Sequence, residues 1–286
     1  MADNESLESG SRETPRPAPH ASLPLYALPE NAPARNAFWQ AVRTEVGRQG
    51  IGDMPGELDL KRPTVPERIE PEMRFSQICG YPLCKMFHGQ ATILGAPVYD
   101  DEHCDGPTHS GAFVVHRDAP YRALEDLRGC RFGAIAHHSN SAMNLPRRAI
   151  ADIAGGAPFF GSIAEGSPAQ SGNLVKVAEK EVDATCVDNM TFSFFAQSRP
   201  ETARSLRILA VTPPSPSIPF VTSRATDADT TGALRRALRR VGSAPEWAEV
   251  RAAMLLKDIV EIDDGAYGKL LDYEREAAER GYPELR

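Results

Sequence analysis

Residues 130–154 read CRFGAIAHHSNSAMNLPRRAIADIA and contain the pattern that decides the fold. The apolar run over 130–136 predicts a strand, and apolar residues at helical spacing predict a helix from about Ala142 to Ala154. A polar segment of histidine, serine and asparagine side chains joins the two. A strand that leads through a polar turn into a helix is the repeating unit of a parallel α/β sheet.

The same unit recurs on both sides of this stretch. Strand-like runs are predicted at 112–116, 130–136, 157–163, 184–187 and 206–211. Helices are predicted between them at 123–127, 142–154, 169–180 and 191–197. This alternation predicts a doubly wound, mostly parallel sheet.

The flanking regions predict a second sheet. The strands before the alternating region are predicted at 21–26, 73–78 and 91–99, with a helix at 36–48. The proline-rich run from Pro213 to Pro216 is followed by a strand at 218–222, and residues 230–282 are predicted to be almost entirely helical. The chain therefore leaves the first group of elements and returns to it later.

We predict an α/β protein of two lobes, each a doubly wound, mostly parallel sheet, with two chain crossovers near 106–112 and 209–216. The tail is predicted to be disordered because it is rich in Ser, Pro, Glu and Arg. The predicted domains are the tail at 1–21, lobe 1 at 22–109 and 212–286, and lobe 2 at 110–211. Ligands of such folds bind in the crevice at the carboxyl ends of the strands.

Composition excludes several classes of function. The 286 residues include 32 Lys and Arg against 39 Asp and Glu, a net charge of −7, which argues against a nucleic-acid partner. No apolar run is long enough for membrane insertion. The N-terminus lacks the pattern of a secretory signal, so we expect a cytoplasmic protein, or a periplasmic one if a leader is missing. We also expect a monomer.

Polar residues at the strand-to-helix junctions are the candidate ligand-binding residues. In the quoted stretch, hydroxyl and amide groups can cap the helix and hold an oxyanion at its positive end, although ordinary N-capping needs only one of them. The candidates there are His137, Ser139, Asn140, Ser141 and Asn144. The other junctions and the end of the strand at 73–78 add Gln77, Tyr81, Ser167, Asp188 and Thr191.

Histidine and cysteine residues leave other chemistry open. The loop at 103–109 and the pair His137 and His138 could converge in an enzyme or a sensor, but they lack a fixed metal-ligand spacing. We therefore expect no metal, no cofactor and no catalytic residue. Five cysteines do not form a disulfide scaffold, and reduced thiols are favoured over a single bridge between Cys79 and Cys104.

Short motifs along the chain resemble one known family. They are Leu23–Tyr26, Gln77–Leu83, Ala96–Tyr99, Cys104–Pro107, Asp126–Gly129, Ser139–Asn144, Pro158–Phe160, Asp183-Ala184, Asp188, Thr191 and Pro213–Val221. In this order, from about Ser22 to Leu285, the chain resembles the phosphate- and phosphonate-type substrate-binding proteins of ABC transporters, which have the type II periplasmic-binding-protein fold.

The resemblance implies a solute-binding protein that clamps a small oxyanion-bearing ligand, such as phosphate or a phosphonate, between two lobes, with an ABC transporter permease as partner. It implies oxyanion contacts at Ser139, Asn140 and Ser141, with Tyr26 and Tyr81 on the opposite lobe. The chain reads Gly166-Ser167-Pro168 where the family often begins the second helix with Gly-Ser-His.

Overall fold

The structure is a computed structural model that describes residues 17–134, 138–164, 166–167 and 169–286. Its strands are β1 (His20–Ala21), β2 (Met73–Gln77), β3 (Ala91–Tyr99), β4 (Thr108–His109), β5 (Gly111–His116), β6 (Arg131–Gly133), β7 (Ser162–Ala164), β8 (Ala184–Asp188), β9 (Leu206–Val211), β10 (Ser215–Pro216), β11 (Phe220–Ser223) and β12 (Leu256–Val260).

The α-helices are α1 (Ala32–Gly47), α2 (Gly80–Lys85), α3 (Leu145–Ala154), α4 (Gln170–Ala178), α5 (Asn189–Ser198), α6 (Pro200–Ala203), α7 (Ala228–Ser243), α8 (Ala248–Ala253) and α9 (Lys269–Glu279). A π-helical turn, Asn140–Asn144, leads directly into α3. Short 3-10 helices lie at Pro29–Asn31, Leu124–Leu127, Pro245–Trp247 and Asp264–Gly268.

Two five-stranded sheets confirm the predicted α/β fold. The first sheet has the order β1-β2-β11-β3-β12, and the second has the order β7-β6-β8-β5-β9. In the second sheet only β5 runs against the other strands, and in the first sheet β11 and β12 do so. Strands β5 and β11 are those that the chain enters directly from the other sheet, which explains their reversed direction.

The two connections between the sheets pair with each other. One runs from β3 to β5 and the other from β9 to β11, and they contribute β4 and β10 to a two-stranded antiparallel ladder. His109 lies opposite Ser215 in this ladder. The predicted crossings at 106–112 and 209–216 overlap these connections. We call these paired segments the hinge, because they are the connections at which two such halves would move.

Each sheet has its own aromatic core. On the first, Phe38 and Trp39 of α1 stack on Phe220 and Phe75 of the sheet, with ring centroids 5.4 and 5.1 Å apart. The helical spacing of the apolar residues from Phe38 to Val46 predicted this buried face of α1. On the second, the rings of Phe132 and Phe160 stack at 4.1 Å.

The structure corrects several boundaries at both ends of the chain. Part of the predicted disordered tail is ordered, since His20 and Ala21 form β1 and Ala21 is fully buried. The strand predicted at 21–26 ends at Ala21, and at its predicted end Tyr26 has a left-handed backbone with φ 56°, which a strand does not contain. The region 230–282 is not almost entirely helical, because five residues between α8 and α9 form β12 against β3.

The C-terminal segment packs on the second sheet, although the sequence assigned 212–286 to lobe 1. Ala277, Tyr282 and Leu285 belong to the same apolar core as Phe132 and Phe159. The backbone N–H of Phe159 donates to the carbonyl of Arg286 at 2.6 Å. The aromatic cluster of the second sheet thus recruits a segment that follows the first sheet in sequence.

Candidate ligand-binding site

A cavity of about 300 Å³ lies between the two halves of the molecule. Residues that adjoin the first sheet form one side of it, namely Pro24, Leu25, Tyr26, Ala27, Leu28, Thr64, Val65, Cys79 and Ile218. Residues of the segments that follow strands β6, β7 and β8 of the second sheet form the other, namely His138, Ser139, Ser141, Ala169, Gln170, Ser171, Asp188, Thr191 and Phe194. We call these sides the first wall and the second wall.

The second wall is made of the starts of three helices. Ser139 precedes the π-helical turn, and its hydroxyl oxygen accepts from the backbone N–H of Ala142 at 3.2 Å. Asp188 precedes α5 and accepts from the backbone N–H of Met190 at 3.0 Å. Helix α4 begins at Gln170. Helix starts carry unpaired N–H groups and partial positive charge, so this wall suits an anion.

Gln170 connects the three helix starts. Its Oε1 accepts from the backbone N–H of Asp188 at 2.6 Å and from the hydroxyl of Thr191 at 3.2 Å. Its Nε2 donates to the hydroxyl oxygen of Ser141 at 3.2 Å. One side chain of α4 is therefore hydrogen-bonded to the segments that begin α3 and α5.

Behind the second wall, a buried polar network reaches the hinge. His109 Nδ1 lies 2.5 Å from Asp188 Oδ2, and both side chains are 1% exposed. His109 Nε2 lies 3.4 Å from Nδ2 of Asn140, which donates to the hydroxyl of Ser215 at 3.0 Å. His109 and Ser215 are the paired residues of β4 and β10. The cavity and the hinge thus share one hydrogen-bonded network.

The first wall is mostly apolar and is held from behind by α1. Tyr26 stacks on Phe194 at 5.7 Å and meets Tyr99 edge-on at 5.9 Å. Its carbonyl accepts from Nδ2 of Asn31 at 2.8 Å, while the buried guanidinium of Arg35 donates to the carbonyl of Leu23 at 2.9 Å. Asn31 thus contacts the left-handed residue directly, and Arg35 holds the chain before it.

The hydroxyl of Tyr26 is buried and has no hydrogen-bond partner among the described residues. Burial, and then the negative charge of Asp188, raises the pKa of Tyr26 well above its usual value. The group is therefore a protonated donor at the edge of the cavity. The Asp188 carboxylate lies near this hydroxyl but does not reach hydrogen-bond geometry with it. A buried donor left in this way is costly, which is the condition expected of a group that a ligand would satisfy.

The structure brings about half of the predicted site residues to the cavity. Tyr26, Ser139, Ser141, Asp188 and Thr191 line it. Gln77, Tyr81, Asn140, Asn144 and Ser167 do not, and His137 lies outside the described residues.

The residues away from the cavity have other contacts. The hydroxyl of Tyr81 accepts from the ammonium of Lys85 at 3.1 Å. Gln77 and Asn144 are buried and donate to backbone carbonyls, those of Ile218 and Leu270. The position of a residue at a strand or helix end does not reveal which way its side chain points, so sequence reasoning grouped these residues with the others.

Sequence reasoning missed Gln170, Ser171 and Phe194. Gln170 and Ser171 lie in the first turn of a helix that the sequence predicted, at a junction like that of Ser139. The same criterion, polar residues in the first turn after a strand, would have found them. Phe194 carries no such signal because an aromatic residue in a helix is ordinarily part of the core.

Among the described residues considered for metal or enzyme chemistry, His138 lines the cavity, whereas His103, Cys104 and His109 do not. Within the described residues, no group of three or more His, Cys, Asp and Glu is placed to hold a metal ion. His109 is engaged by Asp188, and burial raises the pKa of the Cys104 thiol to about 12, so this thiol is protonated. All five cysteines are free thiols, Cys79 and Cys104 included.

Comparisons with known proteins agree with this architecture. The profile of the family described as ABC transporter, phosphonate, periplasmic substrate-binding protein matches residues 75–267, more than half of the chain. No curated protein sequence gives a significant match. Within the described residues, no helix combines the length and apolar content needed to cross a membrane.

Solved structures share the fold at low sequence identity. A binding-protein component of a phosphonate ABC transporter from Pseudomonas aeruginosa has a TM-score of 0.72 and 15% identity, covering 92% of this chain and 87% of that one. PhnD1 from Prochlorococcus marinus in complex with methylphosphonate has a TM-score of 0.69 and 12% identity, covering 92% and 100%.

XAC2383 from Xanthomonas citri bound to ATP has a TM-score of 0.59 and 14% identity, covering 92% of this chain and 98% of that one.

The family match and the fold favour the periplasmic location over the cytoplasmic location that the sequence led us to expect. The chain therefore belongs to the phosphonate family of ABC-transporter periplasmic substrate-binding proteins, and it is a solute-binding protein.

Proposed function

We propose that this protein binds a small phosphonate, or a closely related oxyanion, in the cavity between its two lobes and delivers it to an ABC transporter in the periplasm. The observation that carries the proposal is the pairing of a polar wall of helix starts with an apolar, aromatic wall across one small cavity. An oxyanion fits the polar second wall, and an organic substituent fits the apolar first wall. A phosphonate contains both groups in one molecule.

The size and charge of the cavity support a small anion. Its volume of about 300 Å³ is at the lower end of ligand pockets. Among the described lining residues there is no Lys or Arg, and the carboxylate of Asp188 is already hydrogen-bonded to Met190 and His109. Neutral hydroxyl and backbone donors would therefore hold the anion, with the positive ends of three helices behind them.

The similar proteins support the same ligand class. The Prochlorococcus protein was solved with methylphosphonate, and the Pseudomonas protein is a component of a phosphonate transporter. The lobe boundaries at 22–109 with 212–286 and at 110–211 stay a prediction, with the C-terminal segment on the second core as the exception described above. The alternative of an enzyme or sensor that uses His137, His138 and the 103–109 loop has less support, because His109 and Cys104 do not line the cavity beside His138.

The test is a binding measurement on the purified protein with methylphosphonate, phosphate, sulfate and acetate. At 100 times its dissociation constant, a ligand stabilises the protein by about 2.7 kcal/mol, which is an increase in Tm of about 5–10 °C for a chain of this size. We expect this increase with methylphosphonate and not with acetate.

Ser139→Ala tests whether the second wall is the binding surface. The loss of one donor to a charged ligand costs about 1.5–3 kcal/mol, or about 10- to 100-fold in affinity by calorimetry. Ser167→Ala is the matched control because Ser167 is close in the fold but does not line the cavity. An unchanged affinity of the Ser139 variant would exclude this wall, and the absence of any oxyanion binding would exclude the function.

A further inference from the structure

The orientation of the Gln170 side-chain amide is determined by its backbone neighbour. The N–H of Asp188 can only donate, so the amide atom 2.6 Å away must be the oxygen, Oε1. The nitrogen Nε2 must then face Ser141, to which it can only donate. This removes the usual ambiguity between the two ends of a glutamine amide.

The amide orientation in turn sets the direction of the neighbouring hydroxyl groups. Thr191 lies 3.2 Å from Oε1, which can only accept, so the Thr191 proton points at Gln170 and its lone pairs are left for the cavity. Ser141 accepts from Nε2, so its own proton is free to point elsewhere. Both residues line the cavity and both are more than nine-tenths buried.

Two further residues of the second wall, Ser139 and Asp188, have matching polarity. Ser139 accepts from the N–H of Ala142, so its proton is also free for a ligand. Asp188 also lines the cavity, and its carboxylate oxygens can accept further hydrogen bonds beside those with the N–H of Met190 and with His109. The wall therefore has a donor side at Ser139 and Ser141 and an acceptor side at Asp188 and Thr191.

We propose that Gln170 is a positioning residue that makes Ser141 a donor and Thr191 an acceptor toward the cavity, so that the site selects a tetrahedral oxyanion that carries a proton. This inference rests on the proposed function and specifies its ligand. A monoprotonated phosphonate places its unprotonated oxygens at the donor side and its P–O–H at the acceptor side. A sulfonate of the same shape and charge has no proton, so its oxygen would face the lone pairs of Thr191 and the carboxylate.

The experiment measures the affinities of two probes of the same shape, methylphosphonate and methanesulfonate, by calorimetry. The pH is kept below the second pKa of methylphosphonate. Both are then monoanions, and they differ in one O–H group. We expect the wild-type protein to bind methylphosphonate more than tenfold more tightly than methanesulfonate. In the methanesulfonate complex the acceptors Thr191 and Asp188 are buried against a ligand that has no proton to donate.

Gln170→Met keeps the length of the side chain and removes its polarity. Thr191 can then turn its proton into the cavity, so the ratio of the two affinities should fall by about tenfold, while Asp188 maintains part of the preference. Gln197→Met, at an exposed position on α5, is the control and should leave the ratio unchanged. A purely structural role for Gln170 would weaken both probes equally, which would overturn the inference.

Gln170→Met leaves the buried N–H of Asp188 without its acceptor and could therefore fail to fold. In that case Thr191→Val still tests the inference. Removal of the Thr191 oxygen should weaken methylphosphonate about tenfold and leave methanesulfonate unchanged or improved. Equal losses would again overturn the inference. A wild-type protein that binds methylphosphonate without preference overturns the inference alone, whereas a wild-type protein that binds no tetrahedral oxyanion overturns the proposed function as well.

Discussion

The two walls of the cavity are built in different ways. The second wall consists of helix starts, where Ser139 and Asp188 cap the helix that follows them in sequence. The first wall is a loop around Tyr26, and its carbonyl groups accept hydrogen bonds from Asn31, just before α1, and from Arg35 of α1. A polar wall can thus be determined by local sequence, whereas the apolar wall depends on side chains from elsewhere that support its backbone.

The largest expected effect lies in the network behind the second wall. His109→Ala removes one of the two hydrogen-bond partners that the buried Asp188 carboxylate has among the described residues, and the loss of a partner to a buried charged group costs about 3 kcal/mol or more. We expect Tm to fall by about 10 °C or more, as measured by calorimetry or circular dichroism. His88→Ala, at an exposed position, should have little effect.

A double-mutant cycle sharpens this prediction. Because the cost comes from the charge left at Asp188, the double variant His109→Ala/Asp188→Ala should be more stable than the sum of the single effects implies. Additive effects would show that the two side chains stabilise the protein independently, and the proposed link between cavity and hinge would then lose its basis.

The second prediction addresses the support of the first wall. Arg35 is 5% exposed and donates to the carbonyls of Leu23 and Leu28 and to Asn31. Arg35→Lys keeps the charge but not the forked donors, so the carbonyl groups lose partners at a cost of about 1–3 kcal/mol.

Ligand affinity should fall together with stability, because the loop that places Tyr26 loosens. Arg43→Lys on the exposed face of α1 is the control for the change of side-chain type. If Arg35→Lys lowered Tm but left the affinity for methylphosphonate unchanged, the first wall would not need this support.

The contrast between the walls also explains what the sequence could predict. The alternating segments from 111 to 211 predicted the second sheet, and the polar residues at its junctions included Ser139, Ser141 and Asp188, which line the cavity. These signals are local, since a strand end, a cap and a helix start are adjacent in sequence. The orientation of each side chain is not local, and for this reason Asn140 and Asn144 were grouped with residues that point the other way.

Features that depend on distant contacts were not predictable in the same way. The five residues of β12 pair with β3, which lies far earlier in the sequence, and Tyr282 packs in the same core as Phe159. Tyr26 was marked by resemblance alone. Nothing in Leu23–Tyr26 indicates a left-handed backbone, which Asn31 stabilises from outside the loop.

The smallest expected effect concerns the Tyr26 hydroxyl, which is a polar group on the otherwise mostly apolar first wall. In the ligand-free protein it is a buried donor without a partner among the described residues. Tyr26→Phe removes that unsatisfied group and keeps both ring contacts, so stability should be unchanged or rise by up to about 1 kcal/mol. Affinity for methylphosphonate should fall about tenfold, which corresponds to about 1.4 kcal/mol.

If Tyr26→Phe does not lower stability but does lower ligand affinity, the hydroxyl serves as a donor to the ligand and not as a structural group. Tyr121→Phe, at a partly exposed tyrosine away from the cavity, is the control and should change neither. A loss of stability in Tyr26→Phe would mean that the protein itself satisfies the hydroxyl. An unchanged affinity would restrict the first wall to apolar contacts, and the oxyanion would then be held by the helix starts of the second wall alone.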